Sequence, residues 1–134
     1  MDTIHALQFI VSGLISGFIL FQSAIIAPTV FTVVQEESRG PLLRSVFPKL
    51  FKATAVLGLL LVVLAFIRQP ETVTSYVVGA ITIISATVCN VIVPATNLAK
   101  DTGDEKKFAQ LHRLSVLLTL LVLFLNMFWV FLDV

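Results

Sequence analysis

The sequence predicts an all-α integral membrane protein, a four-helix bundle whose helices run up, down, up and down. Three observations carry this prediction. Hydrophobic residues make up 57% of the chain and the mean hydropathy is +1.01, well above an ordinary soluble domain. The apolar residues form four runs, each close to the roughly 20 residues that cross a bilayer core as a helix. The connections between the runs are short, so consecutive helices are expected to be antiparallel neighbours.

Each apolar run predicts one helix, because backbone groups in lipid must bond within their own segment. We expect a single domain over residues 1–134, with helices at about 4–34, 46–67, 71–95 and 103–132. Arg39-Gly40-Pro41 is interpreted as the stop between the first two helices. Pro70-Glu71 suits the start of the third, with a fixed φ and an acid at the positive end of the helix. Thr102-Gly103-Asp104-Glu105 fits a capping box before the fourth helix.

Lysine and arginine are distributed unevenly about these helices. Only Arg68 falls at the end that also holds both chain termini. The other eight fall at the opposite end: Arg39, Arg44, Lys49, Lys52, Lys100, Lys106, Lys107 and Arg113. In short loops the basic side faces the cytoplasm, so both termini are expected on the non-cytoplasmic side. Trp129 and Tyr76 fall near that outer boundary, as aromatic belt residues do. The predicted location is the plasma membrane, the inner membrane of a bacterium.

Composition also excludes several classes of protein. The net charge of +1 gives no basic field for nucleic acid, so no nucleic-acid partner is expected. A single cysteine, Cys89, excludes a disulfide framework and a cysteine-rich metal site. His5 and His112 fall near opposite membrane faces, so one chain cannot hold a metal between them, and no metal ligand is assigned. The expected partner is the lipid bilayer.

A candidate site is predicted near the cytoplasmic ends of the helices, where polar side chains share one depth. The catalytic candidates are His112, Asn90 and Gln22, and the cofactor-binding candidates are His112, Arg113, Lys49 and Lys52. Intramembrane polar residues are functional candidates by default, and a cationic rim suits an anionic group. The same polar groups also fit a structural role in which they bond one another and fix helix register. His112 beside Arg113 equally fits an interfacial residue. The outer half offers a second polar group: Gln8 and Asn126, with His5 at its edge.

The first helix carries a stripe of small residues. Gly13 and Gly17 are spaced four residues apart and interleave with Ser12 and Ser16. Small residues at this spacing let two helix backbones approach closely in a membrane. Gly13 and Gly17 are therefore expected to face another helix, in the same chain or in a second copy of a homo-oligomer.

Three short motifs carry a family resemblance. They are Ala27-Pro28-Thr29-Val30-Phe31 at the end of the first helix, Val46-Phe47-Pro48-Lys49-Leu50-Phe51, and Phe108-Ala109-Gln110-Leu111-His112-Arg113-Leu114-Ser115. Together they resemble the small four-helix membrane proteins typified by transmembrane protein 205, whose patterns are A-P-x-x-F, F-P and F-x-x-L-H-x-x-S. The family pattern also has an Asn after the third helix, which Asn90 or Asn97 fills. The resemblance implies the architecture and leaves the activity open.

Two classes of function are compatible with these residues. The first is membrane oxidoreduction of a tetrapyrrole, since size and four-helix plan are similar to small bacterial protoporphyrinogen oxidases that bind haem, although no motif of theirs is present. In this hypothesis His112 ligates iron or moves a proton, and Lys49, Lys52 and Arg113 pair with propionates. The cofactor would be haem, which the sequence itself does not name. The second class is an oligomeric small-molecule transporter, or a scaffold or assembly protein without catalysis.

Overall fold

The computed structural model describes residues 2–70 and 72–132, and these residues are helical apart from short connections. The helices are α1 (Thr3–Phe21), α2 (Ala27–Val33), α3 (Glu36–Arg68), α4 (Thr74–Asp101) and α5 (Glu105–Phe128). A π-helix, Gln22–Ile26, joins α1 to α2 without a break, and a 3-10 turn, Trp129–Phe131, follows α5. Four helical stretches are long and apolar enough to cross a membrane: Thr3–Val33, Glu36–Arg68, Thr74–Asp101 and Glu105–Phe131. The prediction of an all-helical chain with four candidate membrane spans is confirmed for the described residues.

Contacts between the helix ends define the two ends of the bundle. At one end Asp2, just before α1, forms an ion pair of 3.5 Å with Arg68 at the end of α3. We call this the terminal end. At the other end Arg44 near the start of α3 pairs with Asp101 at the end of α4. We call this the basic end, and we call the two halves of the bundle the terminal half and the basic half.

Two predicted helix boundaries near prolines are wrong. α3 begins at Glu36 rather than at residue 46, and it contains Pro41 and Pro48. α4 continues to Asp101 rather than ending at residue 95, and it contains Pro94. A proline inside a helix removes one backbone hydrogen bond and bends the axis, but neighbouring turns keep the helix going. Two glutamates in the first turn of α3 further favour an early start at the positive end of the helix.

The caps of α4 and α5 share one tight connection. Gly103, with φ +72, takes the left-handed conformation after α4, and the backbone N–H of Asp104 donates to the Ala99 carbonyl. The Asp104 side chain then accepts from the backbone N–H of Lys107 at 3.0 Å. The cap of α5 is therefore Asp104, not the predicted Thr102 capping box. α4 begins at Thr74, and Glu71 of the predicted helix start lies outside the described residues.

The helices pack as a bundle in which α1 lies against α3 and α5, and α4 lies against the same two helices. The closest approach is between α3 and α4. A Cβ added to Gly79 would lie 2.6 Å from Val62 Cγ2, and one added to Gly58 would lie 2.9 Å from Thr82 Cγ2. Large apolar side chains such as Leu59, Phe66 and Ile84 remain exposed on the outside. This apolar exterior contacts the lipid bilayer in an integral membrane protein.

Gly13 and Gly17 face away from the rest of the described bundle. Both are exposed, and no atom lies within 4 Å of a Cβ added to either one. The close helix contact inside the chain is made by Gly58 and Gly79 instead. The predicted contact of Gly13 and Gly17 with a second copy stays a prediction.

Candidate functional site

The residues predicted as a site do not form one cluster. Gln22 is buried in the π-helix and Asn90 is half-buried on α4. His112 is exposed and stacks on Phe108 one turn earlier, with ring centroids 5.7 Å apart and planes 6° from parallel. The three cations of the predicted rim, Arg113, Lys49 and Lys52, are also exposed. Among the residues described, no hydrogen bond joins any two members of this predicted site.

A small cavity lies deeper in the bundle, between the basic end and the middle. Its volume is about 10 Å³, close to the space that one water molecule occupies. Its polar lining comes from Thr54, Ser85, Cys89 and Thr119. The Cys89 thiol is 3.7 Å from the Ser115 carbonyl, to which it donates. This space is far too small for a tetrapyrrole.

The largest group of buried polar side chains lies in the terminal half. Its members come from three helices, and we call them the polar core: His5, Gln8, Ser12 and Ser16 on α1, Ser75 and Thr82 on α4, and Asn126 with Trp129 at the end of α5. On α1 these residues are spaced three or four apart, so they share one face of the helix. All eight are less than a tenth exposed. The interior of the terminal half is therefore polar along much of α1.

Two side-chain hydrogen bonds tie α5 to its neighbours within the polar core. The Trp129 indole N–H donates to Ser12 Oγ on α1 at 2.8 Å. The Asn126 amide donates to Thr82 Oγ1 on α4 at 2.9 Å and to the Val122 carbonyl. The Trp129 ring also packs against Phe9 and His5, at centroid distances of 5.2 and 6.4 Å. Asn126 and Trp129 thus position the polar faces of α1 and α4 relative to each other.

Several atoms of the polar core have no hydrogen-bond partner among the described residues. Gln8 is completely buried, and neither its amide nitrogen nor its amide oxygen is bonded. Ser75 Oγ, Ser16 Oγ and Asn126 Oδ1 are likewise buried and unbonded. Each such atom is expensive in an apolar environment, since desolvation is not repaid by a bond. The arrangement therefore offers donors and acceptors to a small molecule or to water.

A hydrophobic cluster lies alongside the polar core and extends from it toward the basic half. Ile15, Leu61 and Val122 are almost completely buried and belong to one hydrophobic cluster. They come from α1, α3 and α5. Gln8 lies in the second turn of α1, so the terminal end is the nearer way out for a polar species bound there.

Charged groups lie at the terminal end next to the polar core, and we call this place the mouth of the core. The Asp2 carboxylate caps α1 by accepting from the backbone N–H of His5 at 2.8 Å. That hydrogen bond, helped by the Arg68 guanidinium, lowers the pKa of Asp2 below its usual value. Asp2 therefore stays negative at neutral pH, and the mouth carries both signs of charge.

The sequence identifies part of this core and misplaces another part. Gln8 and Asn126 are polar groups of the terminal half, as the sequence predicts, but His5 is buried where the sequence favours an exposed residue at the edge, and the prediction of Trp129 as an aromatic belt residue is wrong. The structure buries Trp129 at 1% exposure. The burial of Trp129 could have been predicted from the sequence, because Trp129 lies three residues after Asn126 and so continues the polar face of α5. Tyr76, the other predicted belt residue, is half-buried, and its hydroxyl donates to the Ala65 carbonyl.

Comparison with known proteins gives a family without an assigned activity. Residues 10–105 match the family described as "Domain of unknown function (DUF4149)". No curated protein and no solved structure matches the chain. The matched residues contain Ala27–Phe31 and Val46–Phe51 and end before Phe108–Ser115. The resemblance to transmembrane protein 205 thus stays a prediction.

Proposed function

The chain belongs to this family of unknown function, and we propose that it binds a small neutral molecule in the polar core of its terminal half. The observation that carries the proposal is the state of Gln8. A fully buried amide with neither atom bonded is a poor structural element, because an apolar side chain of the same length would avoid the desolvation penalty. Buried polar groups that lower stability are typical of sites retained for function.

The charge of the core favours a neutral ligand. Of its eight residues, seven carry no ionisable group of biological relevance, and the exception is His5 at the mouth. A buried ion without an opposite charge is strongly disfavoured in a low-dielectric interior. Amide and hydroxyl groups instead match a molecule that both donates and accepts hydrogen bonds.

The side of the membrane from which the ligand enters follows from the distribution of lysine and arginine. The basic end faces the cytoplasm by the positive-inside rule, so the terminal end and the polar core open to the outside of a bacterial inner membrane. A reporter fused after Val134 checks this orientation. Activity of a reporter that works only in the cytoplasm would reverse the proposed direction of entry.

The binding proposal is tested with three matched ring compounds, since benzamide is neutral whereas benzoate and benzylammonium are charged. Trp129 is the single tryptophan of the chain and lies in the polar core, so its fluorescence reports on the site during thermal unfolding in detergent. We expect benzamide to raise the unfolding temperature more than either charged analogue, because binding to the folded state stabilises it.

Two variants provide the controls for this experiment. Gln8→Met keeps the length of the side chain and removes the amide, so the response to benzamide should disappear. Ser23→Ala changes an exposed residue and should respond like the wild type. An equal response to charged and neutral compounds, no response in the wild type, or a full response in Gln8→Met would each contradict the proposal.

Oxidoreduction of a tetrapyrrole at the basic end is the second candidate function. It is supported by the buried amide nitrogen of Gln22, which has no hydrogen-bond partner in the part of the chain that the structure describes, and by the exposed cations Lys49, Lys52 and Arg113 in the basic half. In this proposal His112 would ligate the haem iron or move a proton, and Asn90 and Gln22 would be the other catalytic residues. Lys49, Lys52 and Arg113 would pair with the propionates of the tetrapyrrole. An absorbance spectrum of the protein purified in detergent after haem addition separates the candidates. A Soret band lost in His112→Ala would support this function, and an unchanged spectrum in that variant would contradict it.

A further inference from the structure

We propose that the ligand of the polar core is a quinone or quinol, whose ring carries carbonyl or hydroxyl groups; this inference rests on the proposed binding function. The first argument is the position of Gln8. It lies on α1 between His5 and Ser12, on the same face, and both of these contact Trp129. Gln8 therefore lies on the face of α1 that contacts the indole ring.

Ring side chains pack against one another at this part of α1. The Phe9 ring lies 4.2 Å from the His5 ring and 5.2 Å from the Trp129 ring, centroid to centroid. Aromatic surfaces favour a flat ring in offset or edge-on contact. A planar ligand would therefore make ring contacts with these side chains that a small aliphatic molecule or a water molecule cannot make.

The unbonded groups of the polar core include donors and acceptors for both redox forms of such a ring. A quinone carbonyl accepts, and the free Gln8 Nε2 donates. A quinol hydroxyl donates, and the free oxygens Gln8 Oε1 and Asn126 Oδ1 accept. The Ser75 hydroxyl can do either. Both forms are neutral, as the uncharged core requires.

The lipid lies close to this site. Leu7 and Ile10, next to the Gln8 face on α1, are 40% and 59% exposed on the apolar exterior. Val77 on α4, near Ser75, is 47% exposed. A ring bound at Gln8 can therefore leave its apolar tail along the outside of α1 or α4, in contact with lipid.

The test is a titration of the purified protein with ubiquinone-1, a short-tailed benzoquinone, read through quenching of Trp129 fluorescence. A quinone dissolved in the micelle quenches tryptophan in proportion to its concentration, and N-acetyltryptophanamide in the same micelles measures that linear part. We expect an additional saturable component in the wild type. The half-saturation concentration should rise at least tenfold in Gln8→Met and remain unchanged in Ser23→Ala.

Ser75→Ala provides a second, smaller change in the core and should raise the half-saturation concentration by a lesser factor. Linear quenching alone in the wild type, or saturation unaltered in both core variants, would overturn the quinone assignment. If benzamide binds and ubiquinone-1 does not, the proposed binding of a small neutral molecule is supported and the assignment of a quinone or quinol as the ligand is rejected. If neither binds, both proposals fall.

Discussion

The sequence predicts a glutamine, an asparagine and a histidine as polar groups in each half of the bundle, yet the structure places the two sets differently. In the terminal half His5, Gln8 and Asn126 are all buried, at 7%, 0% and 2% exposure. In the basic half Gln22 is buried, Asn90 is half-buried and His112 is exposed. The same three residue types therefore form a shared core in one half and remain separate in the other.

The polar stripe of α5 shows the reason for this difference. His112, Ser115, Thr119 and Asn126 follow one face, and their burial increases from exposed, through half-buried, to buried toward the terminal end. The face is continuous, so the amount of cover supplied by neighbouring helices changes along it. A stripe of polar residues thus identifies an inward face only where a neighbour is close enough to cover it.

The largest expected effect concerns the close contact of α3 and α4. Gly79→Leu should destabilise the protein by about 3 kcal/mol or more, because the new side chain meets Val62 and the backbone carbonyl of Gly58. Gly17→Leu, on the outward face of α1, is the matched control. It should leave monomer stability unchanged and should shift the oligomer size only if Gly13 and Gly17 contact a second copy. Denaturant unfolding and size-exclusion chromatography in detergent measure the two effects.

The asparagines of the two halves should differ in their contribution to stability. Asn126→Ala removes hydrogen bonds to Thr82 and to the Val122 carbonyl, so we expect a loss of about 1–2 kcal/mol in the free energy of unfolding. Asn90→Ala should change it by less than about 0.5 kcal/mol. Equal losses for the two variants would show that the halves are equally well packed.

The buried glutamine should give an effect of the opposite sign. Gln8→Met is expected to raise the free energy of unfolding by about 1 kcal/mol, because it removes two unbonded polar atoms from an apolar interior. Gln22→Met should raise it less, since only its amide nitrogen is both buried and unbonded. Destabilisation by Gln8→Met would mean that the amide has a structural role, and it would remove the main support for a binding site.

His112→Ala should have almost no effect on stability. The imidazole is exposed and contacts Phe108 within the same helix, so the expected change is below about 0.5 kcal/mol. His5→Ala is the comparison, and it should cost more because His5 is buried between Phe9 and Trp129. Parallel thermal unfolding of the two variants measures the difference, and a larger loss for His112→Ala would contradict the structure.

The smallest effect is the pH dependence that comes from Asp2. Its pKa is lower in the folded protein than in the unfolded chain, so the unfolded state binds its proton first as the pH falls. The stabilisation is therefore present above the ordinary carboxyl pKa and disappears as the pH falls through the lower, folded value. Asp2→Asn should remove this small acid dependence at the terminal end. Identical acid profiles for the variant and the wild type would show that Asp2 contributes nothing.

Much of the architecture could be predicted from the sequence, because lipid allows few solutions for an apolar run. The four spans followed from length and hydropathy alone. The boundaries at Pro41 and Pro94 could not, since whether a proline ends or only bends a helix depends on the turns around it. Only part of the polar core could be predicted. The spacing of Gln8, Ser12 and Ser16 indicates one polar helix face, but the hydrogen bond from Trp129 to Ser12 joins residues 117 positions apart in the sequence. Long-range contacts of this kind depend on how neighbouring helices are rotated, and hydropathy does not encode that rotation.

The π-helix between α1 and α2 acts as a one-residue insertion in an otherwise regular helix. Its defining bond runs from the Ala27 N–H to the Gln22 carbonyl, one residue farther back than in an α-helix. The extra residue rotates everything beyond it by about a quarter turn or more relative to the polar face of α1, as the 3.6-residue period requires. Deleting Ser23 or Ala24, both exposed, should therefore restore a plain α-helix and turn the outward surface of α2 to a new direction. The polar core, which lies entirely before this point on α1, would keep its geometry, so the single extra residue sets the direction of α2 independently of the polar core.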